Sequence, residues 1–329
     1  MQRLASNTRR RIPTTSISLI LGLMLCFTAC NDDEDDFFFG DKTNTNSNAV
    51  MVGSDPVTYS NGSVVTCGFV KAVTEKTADL QRAACRLEIP KLKGGSNDLF
   101  IVHTVGNNEI NYCMEYNRSL RAQYWSAFRW DKTNSGGSAS GSLDDFTEDP
   151  LIPINDRSTL EDHKSNGYQR GHMLANADRK NSTAANKQTY YLSNIHPQWG
   201  NFNGQGIWWN LEKHIRDVYN TNAFRDTLYV VKGGTISAGN YITVKGLPVP
   251  NYFFMALLCK KLSDTTQGGY KAIAFWMEHK SNTDSNYKKY AISIDELEQK
   301  TGIDFFPNLP DNIEKVVESN LVLPAWKLY

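Results

Sequence analysis

The sequence lacks the features that assign a chain to a specialised class. Basic and acidic side chains are equal in number, 35 of each among 329 residues, so bulk charge does not indicate nucleic-acid binding. No internal repeat is present, and no Cys/His spacing is typical of a zinc site. No apolar run reaches the roughly 20 residues of a membrane-spanning helix. The content of hydrophobic residues, 40%, predicts an ordinary globular core.

The first thirty residues predict a secretory signal peptide. An apolar stretch at roughly 16–29 follows a basic segment whose arginines are Arg3, Arg9, Arg10 and Arg11. The stretch ends in small residues before Cys30, which resembles a bacterial lipoprotein signal. The resemblance implies lipidation of Cys30 and a membrane anchor in the cell envelope, at the outer membrane, the cell surface or the periplasm. The alternative is an ordinary signal peptide.

The segment after Cys30 predicts a disordered tether over residues 31–55, since it is acidic at 31–36 and polar beyond. The acidic run resembles a surface-export tag of some lipoproteins, with a plain spacer as the alternative. Loss of the four leader arginines leaves 31 basic against 35 acidic residues, a net charge of −4. Any phosphate-binding surface must therefore be local.

Beyond the tether, the pattern predicts two regions. Residues 56–96 form a small β-rich region of unknown role, either an accessory module or an extension of the main domain. The main domain covers residues 97–329. The cysteine chemistry of the mature chain stays open, because either two disulfides or buried free thiols fit its four cysteines, Cys67, Cys85, Cys113 and Cys259.

The main domain predicts an α+β fold, because strands and helices do not alternate regularly. Strands are predicted at Leu99–Val105, Tyr112–Tyr116, Gln123–Trp130, Thr227–Val231, Tyr252–Leu258 and Ala272–Met277. Helices are predicted at Thr183–Thr189, Ile207–Val218 and Ile294–Thr301.

Polar residues that suit phosphodiester hydrolysis lie in two segments, 167–179 and 192–212. The reaction needs a base to activate water and a cation near the non-bridging oxygens. The unperturbed pKa of a histidine such as His172 suits the base, and Arg170 can pair with phosphate. A carboxamide oxygen can hold a hydrated magnesium ion. Residue types alone leave a structural or exposed His172 as the alternative.

Three ordered blocks resemble the DNA/RNA non-specific endonuclease family. They are Arg170-Gly171-His172, then Ser193-Asn194-Ile195-His196-Pro197-Gln198, then Asn203 with Trp208 and Leu211-Glu212. The similarity runs from about Asn97 to the C-terminus and includes the segments at 294–302 and 309–311. It implies a ββα-metal (His-Me finger) nuclease fold, with a central antiparallel sheet flanked by helices.

The resemblance also implies a role for each matching residue. His172 is the expected general base, and Asn203 is the expected single protein ligand of a hydrated Mg²⁺, with Mn²⁺ as a possible substitute. Glu212 would orient the waters of that ion. Arg170 would contact the phosphate, and Asn194 would support His172 by hydrogen bonding. The implied reaction is endonucleolytic cleavage of DNA and RNA, leaving a 5′-phosphate.

The chain departs from the family pattern at three places. Gln169 stands where the family has aspartate. The interval from Asn203 to Glu212 is one residue longer than expected, with the insertion at 204–206. The acidic segment 143–150 lacks the arginine that some relatives have there. The cation that would stabilise the transition state is then Arg129 or Arg179, or it is missing.

Other residues of the two segments have open roles. His196 either contacts substrate or is structural. The residues Asp178-Arg179-Lys180 form either a phosphate-contacting or a solvated turn. Trp199, Trp208 and Trp209 either stack on bases or belong to the core.

Three functions follow, in order of preference. The first is a surface or periplasmic metal-dependent endonuclease without preference for sugar or sequence. The second is a degenerate nuclease-fold lipoprotein that binds nucleic acid or a partner without cleavage. The third, a structural envelope lipoprotein, conflicts with the polar pattern over 170–212. The sequence does not predict the oligomeric state.

Overall fold

The computed structural model describes Asn44, Asn48, the backbone of 64–67 and 70–73, and residues 82–237 and 239–329. The predicted signal peptide, Cys30 and most of the predicted tether lie outside these residues. Asn44 and Asn48, which fall within the predicted tether, are held against the domain. The Asn44 amide donates to the carbonyls of Pro307 and Leu309, and the buried Asn48 amide donates to the carbonyl of Pro90.

The described chain contains one large sheet and one two-stranded sheet. The large sheet has the order β1-β2-β3-β4-β5-β8-β9-β10-β11, and its neighbours are antiparallel except for the parallel pair β2–β3. Its strands are β1 Val64–Cys67, β2 Val70–Val73, β3 Gly95–Val105, β4 Glu109–Asn117, β5 Ala122–Trp130, β8 Thr227–Gly234, β9 Tyr252–Lys260, β10 Tyr270–Glu278 and β11 Ala291–Ile292. The small sheet pairs β6 Gln169–His172 with β7 Ile195–Gln198.

Five α-helices are described beside these strands. They are α1 Thr183–Gln188, α2 Gly200–Asn203, α3 Ile207–His214, α4 Ile294–Thr301 and α5 Asp311–Ser319. Helix α3 continues into a π-helical segment, Ile215–Tyr219. Among the residues that the structure describes, no helix is both long and apolar enough to cross a membrane.

The large sheet separates two apolar cores, because alternate side chains of a strand point to opposite faces. Phe100 and Val102 of β3 pack with α4 and α5, whereas Leu99 and Ile101 pack with the motif segments and α3. The β6–β7 pair and α3 therefore lie on one face, and α4 and α5 lie on the other.

The predicted fold class is confirmed, since a large, mainly antiparallel sheet is flanked by helices. Each strand predicted for the main domain corresponds to an observed strand, and the three predicted helices correspond to α1, to α3 with its π-helical segment, and to α4. Helices α2 and α5 were not predicted. Cys113 and Cys259 are buried free thiols, whereas Cys85 is disulfide-bonded.

Candidate active site

The two motif segments meet in the β6–β7 pair. In its register His172 faces Ile195, Arg170 faces Pro197 and Gln169 faces Gln198. Gly171 is required at this crossing, because a Cβ there would lie 2.0 Å from Oε1 of the fully buried Gln198. The close approach of the two strands explains why glycine separates the arginine from the histidine.

An open cleft of about 960 Å³ lies over this pair. His172, Arg170, Gln169 and Asn203 all line it. The structure therefore brings together three of the five predicted residues of the catalytic centre, together with the glutamine that departs from the family pattern.

His172 lies in an aromatic wall of the cleft. Its ring is 5.3 Å from that of Phe146 and 5.2 Å from that of Tyr190, centre to centre. Burial lowers the pKa of His172 to about 4, with Lys232 and Arg170 acting in the same direction and Asp178 opposing them. The imidazole is therefore neutral near pH 7, the protonation state that a base requires. Its Nε2 has no hydrogen-bond partner among the described residues.

Arg170 lies on the same wall. Its guanidinium carbon is 4.1 Å from the centre of the Phe146 ring, a cation–π contact that keeps the charge beside His172. Because guanidinium pairs with phosphate oxygens, this position suits an anionic substrate in the cleft.

Asn203 ends helix α2 at the cleft. Its Nδ2 donates to Gln169 Oε1 at 3.2 Å, a bond that orients the amide and leaves Oδ1 as its acceptor toward other partners. One neutral oxygen suits a hard cation that keeps most of its waters, and Mg²⁺ is such an ion. The residues around Asn203 therefore fit the hydrated ion that the family resemblance implies.

Glu212 is buried in a network of four charged groups behind the cleft. Its Oε1 accepts from Lys232 Nζ at 3.0 Å, and the same ammonium donates to Asp178 at 2.9 Å. Arg216 Nη1 donates to the other Asp178 oxygen at 2.8 Å. Burial raises the pKa of Glu212, whereas Lys232 and Arg216 hold that of Asp178 below its usual value. Glu212, the residue expected to orient the waters of the ion, is thus paired with Lys232.

Sequence reasoning missed the role of this network. The segment 178–180 was predicted to be a phosphate-contacting or solvated turn, but Asp178 and Arg179 are buried. Lys232 was not singled out, although a lysine at the end of the apolar run of β8 is the signal that could have found it. Burial of such a charge requires an opposite charge nearby.

Asn194 supports the motif through the backbone. Its side chain accepts from the amide of Leu174 at 3.0 Å and donates to the carbonyls of Leu174 and Thr189. Its own carbonyl accepts from the amide of Met173. Asn194 therefore fixes the two residues after His172 rather than the imidazole itself.

The extra residue between Asn203 and Glu212 is accommodated before helix α3. Gln205 adopts the left-handed region at φ 65°, and a Cβ on Gly206 would lie 2.3 Å from the carbonyl oxygen of Asn201. The glycine-rich turn thus absorbs the insertion, and Glu212 remains on the buried face of α3.

Neither suggested replacement for the missing arginine reaches the cleft. Arg179 is buried and donates to Asn111 and to backbone carbonyls, and Arg129 lies 3.8 Å from Asp131 and does not line the cleft. Lys164 lines the cleft instead, with its side chain 58% exposed. Sequence reasoning overlooked it.

The other open roles divide clearly between core and surface. His196 is fully buried against Phe253 and cannot meet substrate in this arrangement. Trp208 belongs to the core, whereas Trp199 and Trp209 are 43% and 40% exposed. Only the last two remain available for stacking.

Comparisons of the chain with known proteins agree on one family. Residues 95–312 match the DNA/RNA non-specific endonuclease family. The chain is 28% identical over 214 residues to a nuclease of Nostoc sp., covering 64% of this chain and 76% of that protein. It is 29% identical over 222 residues to the mitochondrial nuclease EXOG of Xenopus laevis, covering 63% of this chain but 59% of that protein.

The fold also matches that of a solved structure, the EndoG/EndoGI complex. The TM-score is 0.53 at 21% identity, covering 63% of this chain and 86% of the matched one, which supports the fold. The family match spans the cleft, the β6–β7 pair and most of the large sheet. The chain is therefore an endonuclease that belongs to the DNA/RNA non-specific endonuclease family.

Proposed function

We propose that the cleft hydrolyses phosphodiester bonds of both DNA and RNA, with His172 as general base and one hydrated Mg²⁺ held by Asn203. The observation that carries the proposal is the convergence of a neutral imidazole, a guanidinium and an oriented amide on one cleft. When bound, the ion supplies positive charge beside the scissile phosphate. Mn²⁺ is expected to replace it, since it accepts the same oxygen ligands.

The residues of the chain have separate tasks in this proposal. His172 takes the proton of the attacking water, and Arg170 holds a phosphate oxygen. Gln169 orients the Asn203 amide, and Glu212 completes the charged network behind His172. Contacts to phosphate carry no base information, so indifference to sugar and sequence follows if they dominate binding.

We further propose that the enzyme is a cell-envelope lipoprotein anchored through Cys30, at the outer membrane, the cell surface or in the periplasm. The support is the leader sequence, with its basic segment, short apolar stretch and small residues before the cysteine. A Cys30→Ala variant expressed in a bacterial host should incorporate no labelled fatty acid and should leave the membrane fraction. Unchanged labelling would contradict this location.

The activity is tested with purified mature protein on plasmid DNA and on RNA, with Mg²⁺ or with chelator. His172→Ala should lower the rate by about 10²–10⁴-fold, the contribution of a general base. His214→Ala is the matched control, because His214 bonds to the Tyr287 hydroxyl outside the cleft. Cleavage that ignores both chelator and His172→Ala would refute the mechanism. Binding without cleavage under every condition would favour the non-catalytic alternative.

A further inference from the structure

A group of three acidic side chains lies on the face of the large sheet opposite the cleft. Asp295 and Glu298 are three residues apart on α4 and so share one side of that helix. Glu318 reaches them from α5, which packs beside α4. One carboxylate oxygen from each of the three residues lies within 4.8 Å of the other two.

Glu318 distinguishes this group from an ordinary acidic surface. It is only 6% exposed, and its Oε1 is buried without a hydrogen-bond partner among the described residues. A buried carboxylate oxygen without a donor has lost its hydrogen bonds to water and makes none to the protein, which is unfavourable. A buried carboxylate with such an atom, and with one of its oxygens within 4.8 Å of two other carboxylates, requires a cation or a proton.

The surroundings of the group are negative as well. Burial, followed by Glu298 and other carboxylates, raises the pKa of Glu318 to about 10. Burial also raises that of Glu298 to about 7, although the Phe305 amide donates to it. Glu314 and Asp304 contribute to both shifts, and no lysine or arginine is among the main influences on either group.

We propose that Asp295, Glu298 and Glu318 bind a divalent cation of the calcium type, at a site separate from the nuclease cleft. Three carboxylates offer the hard oxygen ligands that Ca²⁺ prefers, and neither His nor Cys is present to favour zinc. Two oxygens on opposite sides of Ca²⁺ are about 4.6–5.2 Å apart, given Ca–O distances of 2.3–2.6 Å, so the observed spacing admits the ion.

Binding at this site would join α4 to α5. Ile294 and Leu297 of α4 and Ile313 and Val317 of α5 belong to one apolar core, so an ion between the helices stabilises that layer. The expected role is structural, because the large sheet lies between this group and His172.

The test is thermal unfolding of the metal-free mature protein in CaCl₂, with MgCl₂ in parallel. It is carried out in an Asn203→Ala background, so that an ion at the nuclease cleft does not contribute. Calcium at about 100 times its Kd should raise the Tm by ~5–10 °C for a domain of this size. The double variant Glu298→Gln/Glu318→Gln should lose this rise.

Glu296→Gln is the matched control and should keep the rise, because Glu296 lies on the same helix but pairs with Lys300. No rise in the parent protein, or an equal rise in the double variant, would overturn the proposal. A parent that ignores calcium but is stabilised by Glu318→Gln would show that a proton occupies the group instead. An Asn203→Ala protein that keeps the nuclease activity of the unsubstituted chain, with the calcium response intact, would refute the cleft mechanism alone.

Discussion

Gln169 Oε1 accepts a hydrogen bond from Asn203 Nδ2 at 3.2 Å, across the mouth of the cleft. The bond joins Gln169, which stands where the family has aspartate, to the residue proposed to hold the metal. A neutral amide at position 169 can orient the Asn203 side chain, but it adds no negative charge near the ion. Gln169 thus keeps the Asn203 amide oriented, but it attracts the cation less strongly than the family's aspartate would.

Gln169→Asp should therefore strengthen metal binding. The carboxylate adds a negative charge near the Asn203 amide, so the Mg²⁺ concentration for half-maximal activity should fall by about 10-fold. Titration of cleavage against Mg²⁺ measures this. Gln267→Asp, an exposed change on the β9–β10 connection, is the control. A Mg²⁺ requirement that is unchanged in Gln169→Asp would show that position 169 does not act on the metal.

Gly171→Ala should disrupt the β6–β7 pair. The new methyl group would overlap the buried Gln198 side chain, so both the Tm and the cleavage rate should fall. The double variant Gly171→Ala/Gln198→Ala removes the overlapping atoms and should recover part of both quantities. A single variant with the stability and rate of the parent would mean that Gln198 moves aside without cost.

The family resemblance predicted three residues that line the cleft, Arg170, His172 and Asn203. The first two occupy the short strand β6, and Asn203 ends helix α2. Runs rich in apolar, β-branched and aromatic residues predicted six strands of the large sheet. The charged network was not predictable, since Asp178 and Lys232 are far apart in sequence and meet only when β8 packs under the motif. Local sequence reports periodicity and spacing but not which buried charges pair.

Lys232→Met should strongly destabilise the protein. The substitution leaves Asp178 and Glu212 buried with one cation of the described network, Arg216. Loss of one partner in a buried ion pair costs about 3–5 kcal/mol. Urea unfolding measures the change. Lys213→Met, at an exposed ion pair on helix α3, should cost less than about 1 kcal/mol. Equal effects of the two substitutions would contradict the importance of the network.

Trp199→Ala should weaken binding of single-stranded substrates. Trp199 lines a second cleft of about 400 Å³, and this cleft shares Tyr168 with the catalytic one. Stacking on a base contributes about 1–3 kcal/mol, so KM for single-stranded DNA should rise roughly 10-fold or more, with kcat little changed. Trp209→Ala is matched in exposure but lines neither cleft. Equal changes in KM for both variants would exclude a stacking role.

The pH dependence of cleavage tests the state of His172. Because its pKa in the folded protein is about 4, the imidazole stays neutral well below pH 6.5, and kcat/KM should hold from pH 7 to about pH 5. An unperturbed histidine would give a half-maximal rate near pH 6.5. Rates on a short oligonucleotide at saturating Mg²⁺ distinguish the two, and a decline centred near pH 6.5 would contradict a base that stays neutral over this range.

The same lowered pKa makes the stability of the fold depend on pH. Between about pH 6.5 and 4 the unfolded chain binds a proton at His172 that the folded chain does not, so this group removes stability as the pH falls through that range. His172→Asn eliminates the contribution, and its free energy of unfolding should decrease less steeply than that of the parent. Parallel urea unfolding of the two proteins at pH 7, 6 and 5 measures the difference. Identical slopes would mean that the His172 pKa is not lowered by folding.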